Sequence, residues 1–163
     1  MHSPIFWQIT WHTEADTEAF AKTLAATYDL SNAIVELQGD LGAGKTTFTR
    51  YLLQALGVTG RIKSPTYTLL ETYTGRGLAA DWWGNLAISH FDFYRFNDPA
   101  EWEEAGFRDI FATRGLKIVE WADKAKPMLP AADFVIQIEM LNDASRRVTI
   151  KPLANNEDLT PIN

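Results

Sequence analysis

The sequence predicts an α/β protein with a mainly parallel central sheet, and two observations carry this prediction. A glycine-rich segment at residues 37–50 (LQGDLGAGKTTFTR) lies between a short apolar run and a run with helical spacing. Farther along the chain, apolar segments typical of buried strands alternate with segments of helical periodicity. Helices that connect parallel strands cover both faces of the sheet. We therefore expect a three-layer sandwich.

The glycine-rich segment has the spacing Gly39-x4-Gly44-Lys45-Thr46 of a phosphate-binding P-loop. Backbone N–H groups of such a loop surround a phosphate oxygen, the lysine neutralises the outer phosphates, and the hydroxyl group binds magnesium. The apolar run 34–37 predicts a strand before the loop, and residues 46–57 predict a helix after it. This context predicts a P-loop NTPase-like fold that binds ATP and Mg²⁺. The predicted nucleotide contacts in the loop are Gly39, Asp40, Leu41, Gly42, Ala43, Gly44, Lys45, Thr46 and Thr47.

The remaining elements follow from periodicity and from turn residues. An alternating segment at 5–11 predicts an edge strand, and residues 12–28 predict a helix that begins at a capping box of Thr13 and Asp16. Further strands are predicted at 67–74, 86–94 and 115–121, a loop at 75–85, a helix at 98–107, and a terminal hairpin of 134–140 and 146–152. Residues 1–152 would form a single P-loop ATPase domain, followed by a polar tail at 153–163.

Two acidic residues stand at the predicted ends of strands, where ligands bind in sheets of this type. Asp92 closes one apolar run and Glu120 closes another. Either carboxylate could hold magnesium, directly or through water, or could orient an attacking water molecule. The alternative is a helix cap or a surface charge. The segment 63–68 (KSPTYT) could sense the terminal phosphate through its hydroxyl groups, or it could be a turn that only starts a strand.

Composition excludes several classes of protein. The chain of 163 residues has no cysteine, which excludes disulfides and thiolate metal sites, and its three histidines, including His90, are scattered and are interpreted as structural. The formal net charge of −6 disfavours direct binding to nucleic acid, and Arg146 with Arg147 is interpreted as solvated surface. No apolar run is long enough to span a membrane and no secretory signal is evident, so we expect a cytoplasmic protein without membrane association.

Five segments in this order resemble the TsaE (YjeE) family of bacterial ATPases, over about residues 13–151. They are GDLGAGKTTFTR, SPTYTL, HFDFYRF, EEAGFRDIF and IVEWADK. The resemblance implies an ATPase subunit of the machinery that installs threonylcarbamoyl on N6 of adenosine 37 in tRNAs reading ANN codons. In that family TsaD carries the transfer chemistry and works with TsaB, whereas TsaE hydrolyses ATP, weakly by itself, to support turnover. Contact with tRNA would be indirect.

The resemblance also implies roles for individual residues. Lys45 would contact the outer phosphates, Thr66 matches the threonine of a Ser-Pro-Thr switch, and Tyr94, Arg95 and Trp121 fall on motif positions. The predicted catalytic residues are Lys45, Thr66, Asp92 and Glu120; the predicted metal ligands are Thr46, Asp92 and Glu120; and Trp121 completes the predicted nucleotide contacts.

A tryptophan-bearing insert around Trp82 and Trp83 departs from the family pattern. Two other functions stay open on the sequence alone. One is a small-molecule P-loop kinase, although such kinases usually begin with the P-loop strand, whereas here a strand and a helix precede it. The other is a nucleotide-gated binding module without useful turnover.

Overall fold

A computed structural model of the chain describes residues 7–76 and 84–152. The insert around Trp82 and Trp83 and the predicted tail at 153–163 lie outside the described residues. The strands are β1 (Trp7–Trp11), β2 (Ile34–Gln38), β3 (Leu70–Arg76), β4 (Asn85–Asp92), β5 (Leu116–Glu120), β6 (Phe134–Met140) and β7 (Arg146–Pro152). The helices are α1 (Glu14–Thr27), α2 (Lys45–Ala55), α3 (Pro99–Glu104) and α4 (Phe107–Ala112), and two short 3₁₀ turns (Ala122–Lys124 and Lys126–Met128) follow β5.

The strands form one seven-stranded sheet in the order β1-β7-β6-β2-β5-β4-β3. The four central strands, β6, β2, β5 and β4, are parallel to one another. The outer pairings are antiparallel, because β6–β7 and β3–β4 are hairpins and β1 joins the sheet through β7. The predicted parallel sheet is therefore confirmed at its centre, together with the edge position of β1 and the terminal hairpin.

Two hydrophobic clusters lie on opposite faces of the sheet and account for the three layers. The larger cluster includes Ala21 and Leu24 from α1 and Phe48 and Leu52 from α2. The smaller cluster is mainly aromatic and packs Trp102, Phe107 and Phe111 of α3 and α4 against Phe91 and Val119. Every residue of β5 is buried, as expected for a central strand that is covered on both faces.

Local signals explain where the helices begin. Thr13 and Asp16 form the predicted capping box of α1, and Asp98 caps α3 with Pro99 in its first turn. The single predicted helix at 98–107 is wrong in one respect: Gly106 adopts a left-handed conformation (φ 70°), which ends α3 and starts α4. The predicted strand at 67–74 begins instead at Leu70, because residues 66–68 form a turn that ends at Leu69 with φ 64°.

Among residues 7–76 and 84–152, no helix combines the length and the apolar character that a membrane span requires.

Candidate functional site

The glycine loop joins β2 to α2 at the carboxyl end of the parallel strands. Gly44 is the residue before α2 and has φ 111°, a left-handed conformation that glycine adopts without strain. A Cβ atom on Gly39 would lie 2.6 Å from the carbonyl oxygen of Ile138 on β6, so a larger residue would displace the loop from the sheet. Within the loop, the N–H of Ala43 donates to the carbonyl of Asp40 at 3.1 Å. Gly39 therefore lets the loop pack directly against β6, and Gly44 provides the left-handed turn from which α2 begins.

Lys45 is the first residue of α2, and only 6% of it is exposed. Its Nζ donates to the carbonyl of Gly39 and lies 4.1 Å from the centroid of the Trp121 ring. Burial lowers the pKa of Lys45, an effect that the charges of Glu120, Asp92 and Asp40 partly oppose. No ion pair holds Lys45 within the described ranges. A buried ammonium group without a direct anionic partner is suited to receive one from a ligand.

Asp92 and Glu120 are neighbours at the ends of adjacent parallel strands. They occupy paired positions in the β4–β5 register and are 7% and 3% exposed. Their side chains share the sheet face of Ile88 and Ile118, which is the face that α2 covers. Burial raises the pKa of Asp92 and the charge of Glu120 raises it further, whereas the N–H of Tyr94, 2.9 Å from Asp92 Oδ1, lowers it. The predicted pair of strand-end carboxylates thus comes together beside Lys45.

These groups fit a magnesium ion by their chemistry. Within the described part of the chain, no cluster of three or more histidine, aspartate or glutamate side chains could form a complete protein cage for a metal. Magnesium is usually held by one or two carboxylates together with phosphate oxygens and water. Asp92 and Glu120 supply two hard oxygen ligands, and Thr46 is exposed at the start of α2, where its hydroxyl group can add a third.

Trp121 follows Glu120 and has an unusual backbone conformation. Its φ of 55° and ψ of 42° are left-handed, which is rare for a bulky side chain. The conformation turns the chain out of β5 and places the indole between Lys45 and Tyr94, whose ring centroid lies 5.0 Å from that of Trp121. The predicted nucleotide contact at Trp121 is thus placed at the lysine of the loop.

Two hydroxyl groups of the predicted switch segment bond to each other and not to this site. Thr66 and Ser64 share a hydrogen bond of 2.8 Å between their hydroxyl groups. Tyr67 is 81% exposed, and the guanidinium of Arg95 lies 4.4 Å from its ring centroid. No hydrogen bond joins Thr66 to the loop or to the carboxylates in residues 7–76 and 84–152. A catalytic role for Thr66 would therefore need a movement of this segment, as expected for a switch.

Two functional candidates were missed by sequence reasoning. Arg146 of β7, interpreted above as solvated surface, donates from Nε to the carbonyl of Ala43 in the loop at 2.8 Å. Together with Trp11 and Thr47 it lines a cavity of about 180 Å³ on the α2 side of the loop. His90, interpreted as structural, lies 2.7 Å through Nε2 from Glu120 Oε2. The alternation of β4 would have placed His90 on the face of Asp92, but only the register shows that it reaches Glu120.

A larger cavity of about 640 Å³ lies on the other side of the loop. Asp40 and Glu139 line it, together with Arg147, which is paired with Glu139 at 3.7 Å. Asp40 forms no ion pair within the described ranges, so phosphate groups there would meet its negative charge.

The smaller cavity is lined by Glu14, which is paired with Arg50 at 3.0 Å, and by Arg146, which donates from Nε to Ala43 and from Nη1 to Ala144. Because the N-terminus of α2 also lies beside it, this cavity suits the rest of a nucleotide better.

Replacement of Asp92 by asparagine is expected to stabilise the nucleotide-free protein near neutral pH. Because burial raises the pKa of Asp92, the folded state binds a proton there more tightly than the unfolded chain, and the ionised carboxylate lowers the free energy of unfolding. Asparagine keeps the acceptor for the Tyr94 amide. We expect a higher Tm for Asp92→Asn, by roughly 2–4 °C for each kcal/mol added to the free energy of unfolding.

This gain should shrink as the pH falls toward the ordinary pKa of 3.8, since wild-type Asp92 is then protonated in the fold as well. Thermal melts over this pH range measure the difference. Asp123→Asn, which changes a carboxylate with an 85% exposed side chain, should leave the Tm unchanged. A lower Tm for Asp92→Asn at every pH would mean that attraction to Lys45 outweighs the cost of burial.

The junction of β2, loop and α2 defines the class of the protein. A central parallel strand that passes through a left-handed glycine into a helix beginning with lysine is characteristic of α/β proteins with the P-loop NTPase-like fold. The chain belongs to the TsaE family. A family model described as threonylcarbamoyl adenosine biosynthesis protein TsaE matches residues 11–148, which include every site residue named above.

Curated relatives and a solved structure agree with this assignment. The tRNA threonylcarbamoyladenosine biosynthesis protein TsaE of Haemophilus influenzae is 44% identical over 125 residues, which cover 77% of this chain and 74% of the relative. The protein of the same name from Bacillus subtilis is 34% identical over 154 residues, with 93% and 90% covered. The crystal structure of Bacillus subtilis YdiB matches with a TM-score of 0.71 and 29% identity, over 95% of this chain and 90% of that chain.

Proposed function

We propose that this chain is a magnesium-dependent ATPase that supports threonylcarbamoylation of N6 of adenosine 37 in tRNAs reading ANN codons. It would act in the cytoplasm with TsaD, which carries out the transfer, and with TsaB. The observation that supports the ATPase most directly is the buried Lys45 at the start of α2, next to the paired carboxylates of Asp92 and Glu120. The role in tRNA modification is supported by membership of the TsaE family.

Each residue of the site has a distinct task in this proposal. The loop N–H groups and the N-terminus of α2 bind the phosphates, and Lys45 exchanges its contacts with Gly39 and Trp121 for the outer phosphates. Magnesium, when bound, neutralises phosphate oxygens, and Thr46, Asp92 and Glu120 are the residues that would hold it. The carboxylate that does not bind the metal directly would orient the attacking water.

The base of the nucleotide is proposed to occupy the cavity of about 180 Å³ beside the loop. Trp11 lines this cavity but is only 2% exposed, so Arg146 is the side chain that can stack on a planar base; its bond to the Ala43 carbonyl holds it in place. Thr47, one of the predicted nucleotide contacts, lines the same cavity. The phosphates would then run from this cavity past Gly44 toward Lys45.

The net charge of −6 supports contact with tRNA only through partner proteins, because a negative chain repels a phosphate polymer. The free protein is expected to bind tRNA weakly at most, with an affinity that falls steeply as salt increases. This behaviour would separate an accessory ATPase from a subunit that holds the tRNA itself.

A reconstituted transfer reaction tests the proposal. With TsaD, TsaB, tRNA and a supply of threonylcarbamoyl-adenylate, we expect many rounds of transfer when this chain and ATP are present. Omitting the chain, or supplying Lys45→Ala, should permit a first round at most. The measurement is the number of modified tRNA molecules per transferase complex over time.

The control for this reaction is Lys22→Ala, which changes a lysine on α1 whose side chain is 66% exposed, and which should support full turnover. Many rounds of transfer without the chain would disprove its role in resetting the complex. Phosphate release measured in parallel separates an ATPase from a nucleotide-gated module, since the module would support transfer without net hydrolysis.

A further inference from the structure

His90 is a buried polar side chain on the inner part of β4, two residues before Asp92. Only 1% of it is exposed, and its Nε2 lies 2.7 Å from Glu120 Oε2 on the neighbouring strand. The register pairs His90 with Ile118, so the imidazole reaches diagonally toward the end of β5. The proposed ATPase mechanism above gives this histidine no task.

The surroundings of the ring determine which nitrogen carries the proton. The other nitrogen, Nδ1, is buried and has no hydrogen-bond partner in the described ranges. An N–H group at Nδ1 would be a buried donor without an acceptor, which is costly, whereas a proton on Nε2 is donated to the carboxylate of Glu120. His90 thus points a single donor at one oxygen of Glu120 and leaves its other nitrogen in the core.

Each carboxylate of the site accepts a hydrogen bond at one of its two oxygens. The backbone N–H of Tyr94 fixes Asp92 through Oδ1, and His90 fixes Glu120 through Oε2. No other hydrogen bond reaches the Glu120 side chain within residues 7–76 and 84–152. Glutamate has one more rotatable bond than aspartate, so Glu120 would lose more orientation than Asp92 if its donor were removed. Glu120 Oε1 thus has no hydrogen-bond partner within the described ranges, and the bond at Oε2 fixes its direction.

We propose that His90 is a positioning residue that orients Glu120 for the divalent cation bound with the nucleotide. The inference rests on the proposed function, because it assigns Glu120 to that cation. A hydrogen bond that orients a metal-binding side chain typically contributes about 10–100-fold to metal affinity. His90 would then affect the affinity for the metal while leaving the contacts between the loop and the nucleotide unchanged.

Binding of Mn²⁺ in the presence of saturating ADP, followed by electron paramagnetic resonance, tests this inference. His90→Leu removes the donor but keeps an apolar side chain in the core, and we expect Mn²⁺ affinity to fall about tenfold or more. His90→Gln places an amide donor near the position of Nε2, so it should recover affinity to within about threefold of wild type. The affinity for ADP measured in a chelator should be the same in all three proteins.

A double-mutant cycle distinguishes positioning from a general effect on the fold. In a Glu120→Ala background, His90→Leu should cause no further loss of Mn²⁺ affinity, because the side chain that His90 orients has been removed. If His90→Leu does not fold, His90→Asn takes its place, since its amide reaches only the position of Nδ1.

Three results would overturn the inference: wild-type Mn²⁺ affinity for His90→Leu, an equal loss for His90→Gln, or an undiminished loss in the Glu120→Ala background. These results are distinct from failure of the proposed function. A wild-type chain that binds no Mn²⁺ with ADP overturns the proposed function and this inference together. Wild-type binding that survives His90→Leu overturns the inference alone.

Discussion

Lys45→Ala is expected to abolish measurable ATP binding. Lys45 is almost fully buried and forms no ion pair in the described ranges. Its ammonium group can therefore pair with the outer phosphates of a bound nucleotide. Without it, negative phosphate charge would enter a partly desolvated site that also contains Asp92 and Glu120. Isothermal calorimetry with ATP and magnesium measures the loss.

The alanine variant should still fold. Burial lowers the pKa of Lys45, so the charged side chain costs folding free energy, and alanine at the first position of α2 favours the helix. The circular dichroism spectrum should therefore match that of wild type. Lys22→Ala serves as the matched control and should bind ATP normally. Unchanged ATP affinity in Lys45→Ala would disprove the assignment of the loop.

Replacing either strand-end carboxylate by its amide should reduce ATP hydrolysis in the partner complex by about 10² or more. Asp92→Asn and Glu120→Gln keep the shape of the side chain but remove the charge that would hold magnesium or orient water. The two residues are paired in register and would act on the same nucleotide. Each variant should therefore lose hydrolysis even though the other carboxylate is intact. Steady-state phosphate release in the presence of TsaD and TsaB measures the effect.

The control for hydrolysis is Asp123→Asn, three residues beyond Glu120, whose side chain is 85% exposed and paired with Lys126. It should hydrolyse ATP at the wild-type rate. Asp92→Asn should also retain its gain in Tm without nucleotide, so a loss of hydrolysis cannot be attributed to unfolding. Normal turnover by both amide variants would show that the carboxylates are structural.

Helix caps and the elements that flank the loop could be predicted from the sequence, because neighbouring residues determine them. The capping box at Thr13 and Asp16, and the strand and helix on either side of the loop, depend on residues within a few positions of one another. Asp92 and Glu120 were also predictable as strand ends. Their adjacency was not, because it depends on β4 and β5 being neighbours in the sheet.

Features that depend on contacts between distant segments were missed. Arg146 reaches Ala43 across 103 positions of sequence, and nothing near Arg146 distinguishes it from a surface arginine. His90 has an ordinary place in an apolar run, and its contact with Glu120 arises from the register of two strands. One local feature was also missed: the break at Gly106, where a single glycine interrupts helical spacing that otherwise continues from 98 to 107.

The position of Arg146 has a consequence for how the chain is made. β7 pairs with β1 on one side and β6 on the other, and it delivers the arginine that contacts the loop. During synthesis, the loop and α2 leave the ribosome about a hundred residues before this strand does. A partly synthesised chain would therefore have its glycine loop but not the arginine that lines the proposed site for the base. We expect nascent chains to gain ATP affinity only once the final hairpin has been released, so the nucleotide would stabilise finished molecules and not their precursors.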